Sequence, residues 1–364
     1  MTTQIFSDTA LSTSDIENLT NENESRELKW LISSIIKPQL PEIREGLSSC
    51  LRQVSEDNEE IFKLPLSSHK SEMLKGTVSR QNFKIVGLHV SIKAKNFNGG
   101  KSYDLTLKPG VDNFIIIRQL LDCHDYIYNA VHTIDKIADA DKLDSMVFVK
   151  YIEQLYRHIS SAKKALYLPN PAYIFPEYRN CASSFEPEMP EQISLDFFVN
   201  NSELTIDFQN LKRVARKPWC TIIDKAGRIS FVDHVRDKIS KDRARSIHQI
   251  IVDEYQKLLR WKKAIPADND VNEEETTSTI GMALKSIFVS SGDPSLSTLL
   301  KSASKYLEQC ITYMDNTNKP YVVNILDKCE MITSDPILLS LSIKLDSLER
   351  AVHRIAENLK NLTL

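Results

Sequence analysis

The most regular pattern in this chain is at its end. Leu338, Leu345, Val352 and Leu359 recur every seven residues, and Leu341, Leu348, Ile355 and Leu362 recur in step three positions later. Four such heptads give a helix one continuous apolar seam, which can close a zipper between chains or complete a bundle within one. The flanking positions separate the two. They hold Ser342, Glu349 and Ala356 on one side and Lys344, Ala351 and Asn358 on the other. Small residues there replace the charge pairs of a two-stranded zipper and widen the stripe until it touches two or more neighbours. The pattern predicts an internal bundle, with Leu341 and Leu348 in its core.

The other helices of that bundle lie far away in sequence. A helical spacing covers 24–54 through Ile36, Leu40, Ile43, Leu47, Cys50 and Val54, with a kink or break expected near Lys37 because Pro38 and Pro41 fall inside it. Two more helices are predicted at about 111–139 and 143–167, the second built on Phe148, Ile152, Leu155, Ile159, Ala162 and Leu166. Strand signals separate these helices. Val86, Leu88, Val90, Ile92 and Ala94 alternate with polar residues, NFNGGK makes a turn, and Tyr103, Leu105 and Leu107 return. In SLDFFVNNSELTIDFQNL, Leu195, Phe197 and Val199, then Leu204, Ile206 and Phe208, predict a hairpin with one apolar face, half-buried. YVVNIL at 321–326 reads as a further strand.

Neither set of elements can bury its apolar face alone, so distant helices must meet one another and so must distant strands. The expected fold class is α+β with two domains and several crossings between them. An antiparallel helical bundle takes 24–56, 111–167 and 335–364. A small antiparallel β domain takes 74–109, 193–211 and 320–332. Residues 1–23 read as a disordered N-terminus, and 212–319 as a basic and helical insert with an acidic disordered run at 268–277.

The residues offer little to a catalyst. Nine glycines in 364 residues, against a usual share of about 7%, leave few loops where backbone can approach a phosphate or dinucleotide. The six cysteines are scattered with no CxxC, and the polar, acidic start is not a signal peptide, so a reduced cytosolic protein is expected. Cys123, His124 and Asp125 are adjacent on a helix and point about 100° apart, which opposes a nucleophile–base–acid relay. His124 and His132 share a face but are separated by roughly 12 Å of rise, too far for one metal. No catalytic, cofactor or metal residue is assigned, and no enzyme activity is expected.

One charge feature stands out. Between Lys212 and Arg245, eleven Lys/Arg against four Asp give net +7 in a chain of −3. A solvated face is the plainer account; a binding role calls for an acidic protein, an anionic lipid or RNA. Only Trp219 and Phe231 are interleaved, few for RNA. Lys212, Arg213, Arg216 and Lys217 follow the hairpin directly, and Lys238, Lys241, Arg243 and Arg245 extend the patch. The eight are candidate contacts for an acidic protein surface, with no nucleic acid.

ELKWLI, LKGTVSRQNFKIVGLHVSI, ISLDFFVNNSELTIDFQNL and VVNILDKCEMI, leading into the heptad helix, resemble the Rogdi leucine-zipper family over 25–211 and 320–364. The insert between, longer than in animal members, carries nothing recognised, and Pro38 and Pro41 depart from those members. The fungal members are the small subunit of RAVE, the regulator of the ATPase of vacuolar and endosomal membranes. The resemblance implies a helical bundle with a β domain and a non-enzymatic adaptor or assembly-factor role. The implied partners are a large β-propeller-bearing subunit, a Skp-type adaptor and the peripheral sector of the V-type proton ATPase. It also implies a cytoplasmic protein recruited peripherally to vacuolar and endosomal membranes, without a span. A membrane-surface or vesicle-tethering scaffold, using the basic insert and the heptad helix, is the alternative.

Overall fold

The computed structural model describes residues 13–66, 72–110, 112–139, 144–224, 228–264, 296–315 and 319–362. The acidic run at 268–277 lies outside them. In chain order the helices are α1 (Thr13–Trp30), α2 (Leu40–Val54), α3 (Arg118–Asp139), α4 (Ser145–Tyr167), α5 (Phe231–Lys241), α6 (Ile247–Ala264), α7 (Leu296–Gln309) and α8 (Pro336–Asn361).

Four of them close a ring. Helix α2 packs on α3 and α8, α3 on α4, and α4 on α8. The heptad seam of α8 faces inward. Leu338, Leu341, Leu345, Val352, Ile355 and Leu359 are buried, while Leu348 and Leu362 are half-buried at the margin of the core. Leu348 lies over Gly46, where an added Cβ would come within 2.9 Å of its Cδ2. That close approach explains why the expected burial of Leu348 is only partial: it covers a helix backbone instead of entering the centre. Lys163 of α4 holds Asp346 at 2.5 Å and Glu349 at 2.7 Å, tying α4 to α8.

The first helix begins at Thr13, eleven residues before the expected start and inside the stretch read as disordered. It does not break at the prolines. A π-helical turn (Leu31–Ile36) and a 3-10 turn (Lys37–Gln39) carry the chain from α1 into α2. The Lys37 N–H reaches back to the Ile32 carbonyl and the Leu40 N–H to that of Lys37, and Ile36, Lys37, Gln39 and Leu40 all keep right-handed helical dihedrals. Changing the hydrogen-bond spacing lets the helix pass donors that proline lacks.

The first sheet is antiparallel, ordered β1 (Ile61–Leu66), β2 (Leu74–Gln81), β3 (Lys84–Ile92), β4 (Tyr103–Leu107) and β6 (Phe185–Glu186), with β5 (Ile115–Ile116) also paired to β3. Strand β1 was not expected because it contains Pro65. It is an edge strand, where proline need not remove a ladder bond. A bulge between Ser79 and Arg80 skips Val86 and brings Ile85 opposite Arg80. The inward phase therefore passes to Ile85, fully buried, and Val86 is left half-buried. Gly76, with φ +155°, lies so close to the His89 carbonyl that a Cβ would fall 1.9 Å from its oxygen.

The second sheet is ordered β7 (Ile193–Asn200), β8 (Glu203–Arg213), β10 (Pro320–Thr333) and β9 (Cys310–Met314). Asn201 and Ser202 turn the hairpin with φ of 50° and 64°, the left-handed pair that a two-residue connection favours. Their N–H groups donate to the Tyr167 and Leu166 carbonyls at 3.1 and 2.8 Å, capping the end of α4. The hairpin is not half-buried: Ser194, Asp196, Phe198, Thr205, Asp207 and Gln209 of its second face are buried as well. The proline-marked segment 168–192 covers that face near β7, with the Phe175 N–H on Asp196 and the Asn180 amide on the Leu195 carbonyl at 2.7 Å.

One apolar core runs through the helix ring, the first sheet and the hairpin. The insert has its own, in which Trp219, Phe231, Val232, Ile251, Tyr255 and Leu299 pack together. A buried ion pair also joins the first sheet to the helix ring. Arg80 of β2 meets Asp335, the N-cap of α8, at 2.5 Å, with both side chains fully buried. Asp335 also accepts the N–H groups of Ile337 and Leu338.

Candidate partner-binding surface

Strand β8 outruns its hairpin partner. Ile193, the first residue of β7, pairs with Asn210, so Leu211, Lys212 and Arg213 pair only with Ile325, Asn324 and Val323 of β10. The Leu211 N–H donates instead to the Gln192 carbonyl at 2.6 Å. Beside this overhang is a pocket of about 410 Å³, lined by Lys212, Arg213, Arg179, Tyr313, Tyr321, Leu211, Val323, Leu326, Glu191 and Asp315 among others. The Arg213 guanidinium lies 4.3 Å from the Tyr321 ring centre, and Tyr321 stacks on Tyr313 at 5.9 Å. An arginine on an aromatic face keeps its edge donors for a second partner. Arg179 also lines the pocket, and its Nη2 donates to the carbonyls of Pro190, Glu191 and Ile193.

The structure brings Lys212 and Arg213 to this pocket and puts the rest of the predicted patch elsewhere. Arg216 is exposed and Lys217 half-buried, directly before the buried Pro218–Trp219 pair. Lys238 borders a second pocket, of about 380 Å³, with Ile223, Phe231, His234, Glu254, Lys257, Leu258 and Trp261. There burial raises the Glu254 carboxylate, but hydrogen bonds from Lys257 (2.7 Å) and His234 (2.9 Å) outweigh it and hold the group below its ordinary value. Lys241 is paired with Asp237 at 2.8 Å, and Arg245 with Asp242 at 2.6 Å and Asp253 at 3.2 Å. The hydrogen bond it donates to Asp242 raises the Arg245 guanidinium, and the one from Lys241 lowers Asp237. Those two cations already have local counter-charges. Among the described residues Lys212, Arg213, Arg216, Lys238 and Arg243 form no ion pair.

Local sequence missed the aromatic half of the first pocket. Trp219 and Phe231, the aromatics nearest the basic run, are 1% exposed in the core of the insert. Tyr313 and Tyr321 arrive from about a hundred residues away, and only strand pairing brings them beside Arg213.

The Cys123–His124–Asp125 trio separates as helix geometry requires. His124 Nδ1 does lie 2.9 Å from Asp125 Oδ1, but the Cys123 thiol is buried in the bundle, where desolvation pushes its pKa up. Among the described residues no three His, Cys, Asp or Glu side chains gather as a metal would need.

A model of the family described as Rogdi leucine zipper containing protein matches residues 27–360, so the match extends through the insert in which nothing was recognised. The chain is also 28% identical over 352 residues to the "Regulator of V-ATPase in vacuolar membrane protein 2" of Saccharomyces cerevisiae, covering 92% of this chain and 90% of that one. With its family match running from the first helix to the last turn of the heptad helix, the chain belongs to the Rogdi leucine zipper family.

Proposed function

We propose that this chain is a non-enzymatic adaptor and assembly-factor subunit of a RAVE-type complex. In that role it promotes reassembly of the peripheral catalytic sector of the V-type proton ATPase onto its membrane sector, and so vacuolar and endosomal acidification. The similarity to the yeast regulator carries this reading, because it spans 92% of one chain and 90% of the other and is not confined to one shared module. The partners follow from the same reading: a large β-propeller-bearing subunit, a Skp-type adaptor and the peripheral ATPase sector. The protein would work in the cytoplasm, recruited peripherally to the membrane; no helix among the described residues is long and apolar enough to cross one.

The unpaired cations beside the β8 overhang suit a reversible contact. A charged rim with an acidic partner gives fast, salt-sensitive association without deep burial. The tethering alternative draws no added support from the heptad helix, whose seam is turned into the bundle. The test is replacement of the yeast regulator by this chain, read as vacuolar acidification with a pH-sensitive dye and as co-purification of the peripheral sector. Restored acidification with that sector captured is the expected result. A chain that restores neither and captures neither overturns the proposal.

A further inference from the structure

Strand β8 leaves a piece of its edge open. In an antiparallel ladder successive residues turn their N–H and carbonyl groups to alternate sides. The Leu211 N–H points to the β7 side, onto the Gln192 carbonyl, and the Val214 N–H points the other way, onto the Val322 carbonyl of β10 at 2.8 Å. The Arg213 N–H and carbonyl therefore face the β7 side, where β7 has already ended. Among the described residues neither group has a backbone hydrogen bond on that side. Other edges are blunted. Strand β1 carries Pro65, and Arg236 donates to the carbonyl of Cys310, the first residue of β9, at 2.7 Å.

The surroundings select what can add there. Arg213 is exposed, forms no ion pair, and lies on the Tyr321 ring with the edge of its guanidinium free. Three cations line the adjoining pocket against two acids, and one of those acids, Asp315, already accepts the Lys319 N–H at 2.8 Å. Leu211, Val323 and Tyr313, packed together, supply its apolar lining. Positive charge on a strand edge keeps a second copy of the same edge away, because like charges across a pair repel. An acidic strand meets the same charge favourably.

We propose that an acidic peptide segment of a partner binds here by adding a strand, antiparallel to β8 on the line that β7 leaves, with an acidic residue opposite Arg213. The N–H and carbonyl of that residue pair with those of Arg213, and its side chain meets the guanidinium on the same face. Main-chain bonds supply affinity and Arg213 the preference for an acid. The connection with ATPase assembly rests on the reading of this pocket as the partner surface, whereas the strand addition does not.

Residue-resolved amide exchange of the full chain tests the open edge first. The Arg213 amide is expected to exchange at least about tenfold faster than that of Val214; equal protection overturns the proposal. The probe is an end-blocked peptide of about ten residues alternating glutamate and valine, long enough for one strand. It should protect the Arg213 amide about tenfold, and a lysine–valine peptide should not. In this register the glutamate nitrogens face Arg213. Methylating them should weaken binding about tenfold, while methylating the valine nitrogens should not. Binding indifferent to glutamate methylation reduces the contact to charge and overturns the strand addition. So does equal protection by phosphatidylserine vesicles or polyuridylate, or none by the glutamate peptide. Arg213→Glu, at an exposed position, should reverse the preference to the lysine peptide, and an unchanged preference counts against the proposal. Capture of the peripheral ATPase sector separates the readings. Capture that the glutamate peptide displaces supports both. Capture that ignores a bound peptide removes the link to assembly and leaves the strand addition supported. Capture lost in Arg213→Glu, with no peptide protection in the wild type, overturns the strand addition and leaves the assembly role standing.

Discussion

The side-chain amide of Gln119 meets the backbone of Val199 as a neighbouring strand would: Nε2 donates to the Val199 carbonyl at 3.0 Å and Oε1 accepts its N–H at 2.8 Å. The same Nε2 donates to the carbonyls of Ala165 and Leu168 at the end of α4. One side chain, 3% exposed, thus covers the outer edge of β7 and joins it to two helices. Replacing it with leucine leaves four backbone groups short of partners in a dry site. Gln119→Leu is expected to lose about 2–4 kcal/mol, seen as a lower urea midpoint with an unchanged slope. A loss under about 1 kcal/mol would show that the edge finds other partners.

The Arg80–Asp335 pair is expected to behave as a unit. Each single change, Arg80→Met or Asp335→Ala, leaves one buried charge alone, at a cost of about 3–5 kcal/mol. The double variant should lose less than the sum of the two, and strict additivity in denaturation experiments would rule out the coupling.

Gly76 admits no side chain. Its φ lies where L-residues are strained, and a Cβ would collide with backbone, which cannot rotate away as a side chain can. Gly76→Ala is expected to lower thermal stability by more than about 2 kcal/mol. Gly46→Ala, which meets only the flexible tip of Leu348, should stay within about 1 kcal/mol of wild type.

Asp196 gives stability a pH dependence of predictable sign. Its folded pKa, about 7, lies above its unfolded value, so between roughly pH 4 and 7 the folded chain holds a proton that the unfolded chain has released. Stability from this group is full below that window and is lost as pH rises through it. Asp196→Asn should flatten the dependence and gain about 1–3 kcal/mol at pH 8. Denaturation curves at several pH values would expose an error as a wild-type slope of the opposite sign.

The heptad seam should matter within the chain. Leu341→Ala and Leu345→Ala, at fully buried positions, are expected to cost about 2–5 kcal/mol. Leu348→Ala, at the half-buried margin, should cost less. Light scattering should give the same molar mass for all three folded variants as for wild type. A mass halved by any one of them would return the seam to a zipper.

The helical positions were legible because the 3.6-residue period survives whatever the helix packs against. Phe148 to Leu166 and Leu338 to Leu359 could be placed from spacing alone, and they point where the spacing directs. Position along a strand was less secure. The bulge that exchanges Val86 for Ile85 leaves no local mark, since both residues are apolar. Strand β1 was hidden by Pro65, and β9 lay in a stretch with helical spacing. The candidate site was half legible: Lys212 and Arg213 stand out as a charge run, whereas Tyr321 reaches them only through the pairing of β8 with β10. The two buried acids gave no warning, because Asp196 and Asp207 occupy the positions that alternation assigns to water. For Asp196 the cover is the segment from 168 to 192, whose Phe175 N–H reaches its carboxylate.

Residues 320–361 supply both a strand flanked on either side in the second sheet and one of the four ring helices, with Asp335 between them fastened to Arg80. A chain growing from its N-terminus therefore cannot complete either part until this stretch has been made. Until then the seam on α4 and the outer edge of β8 wait without their partners, exposed to whatever meets nascent chains. A version lacking this stretch would be no smaller working protein, only a chain whose core has no lid and whose fate is chaperone capture or degradation.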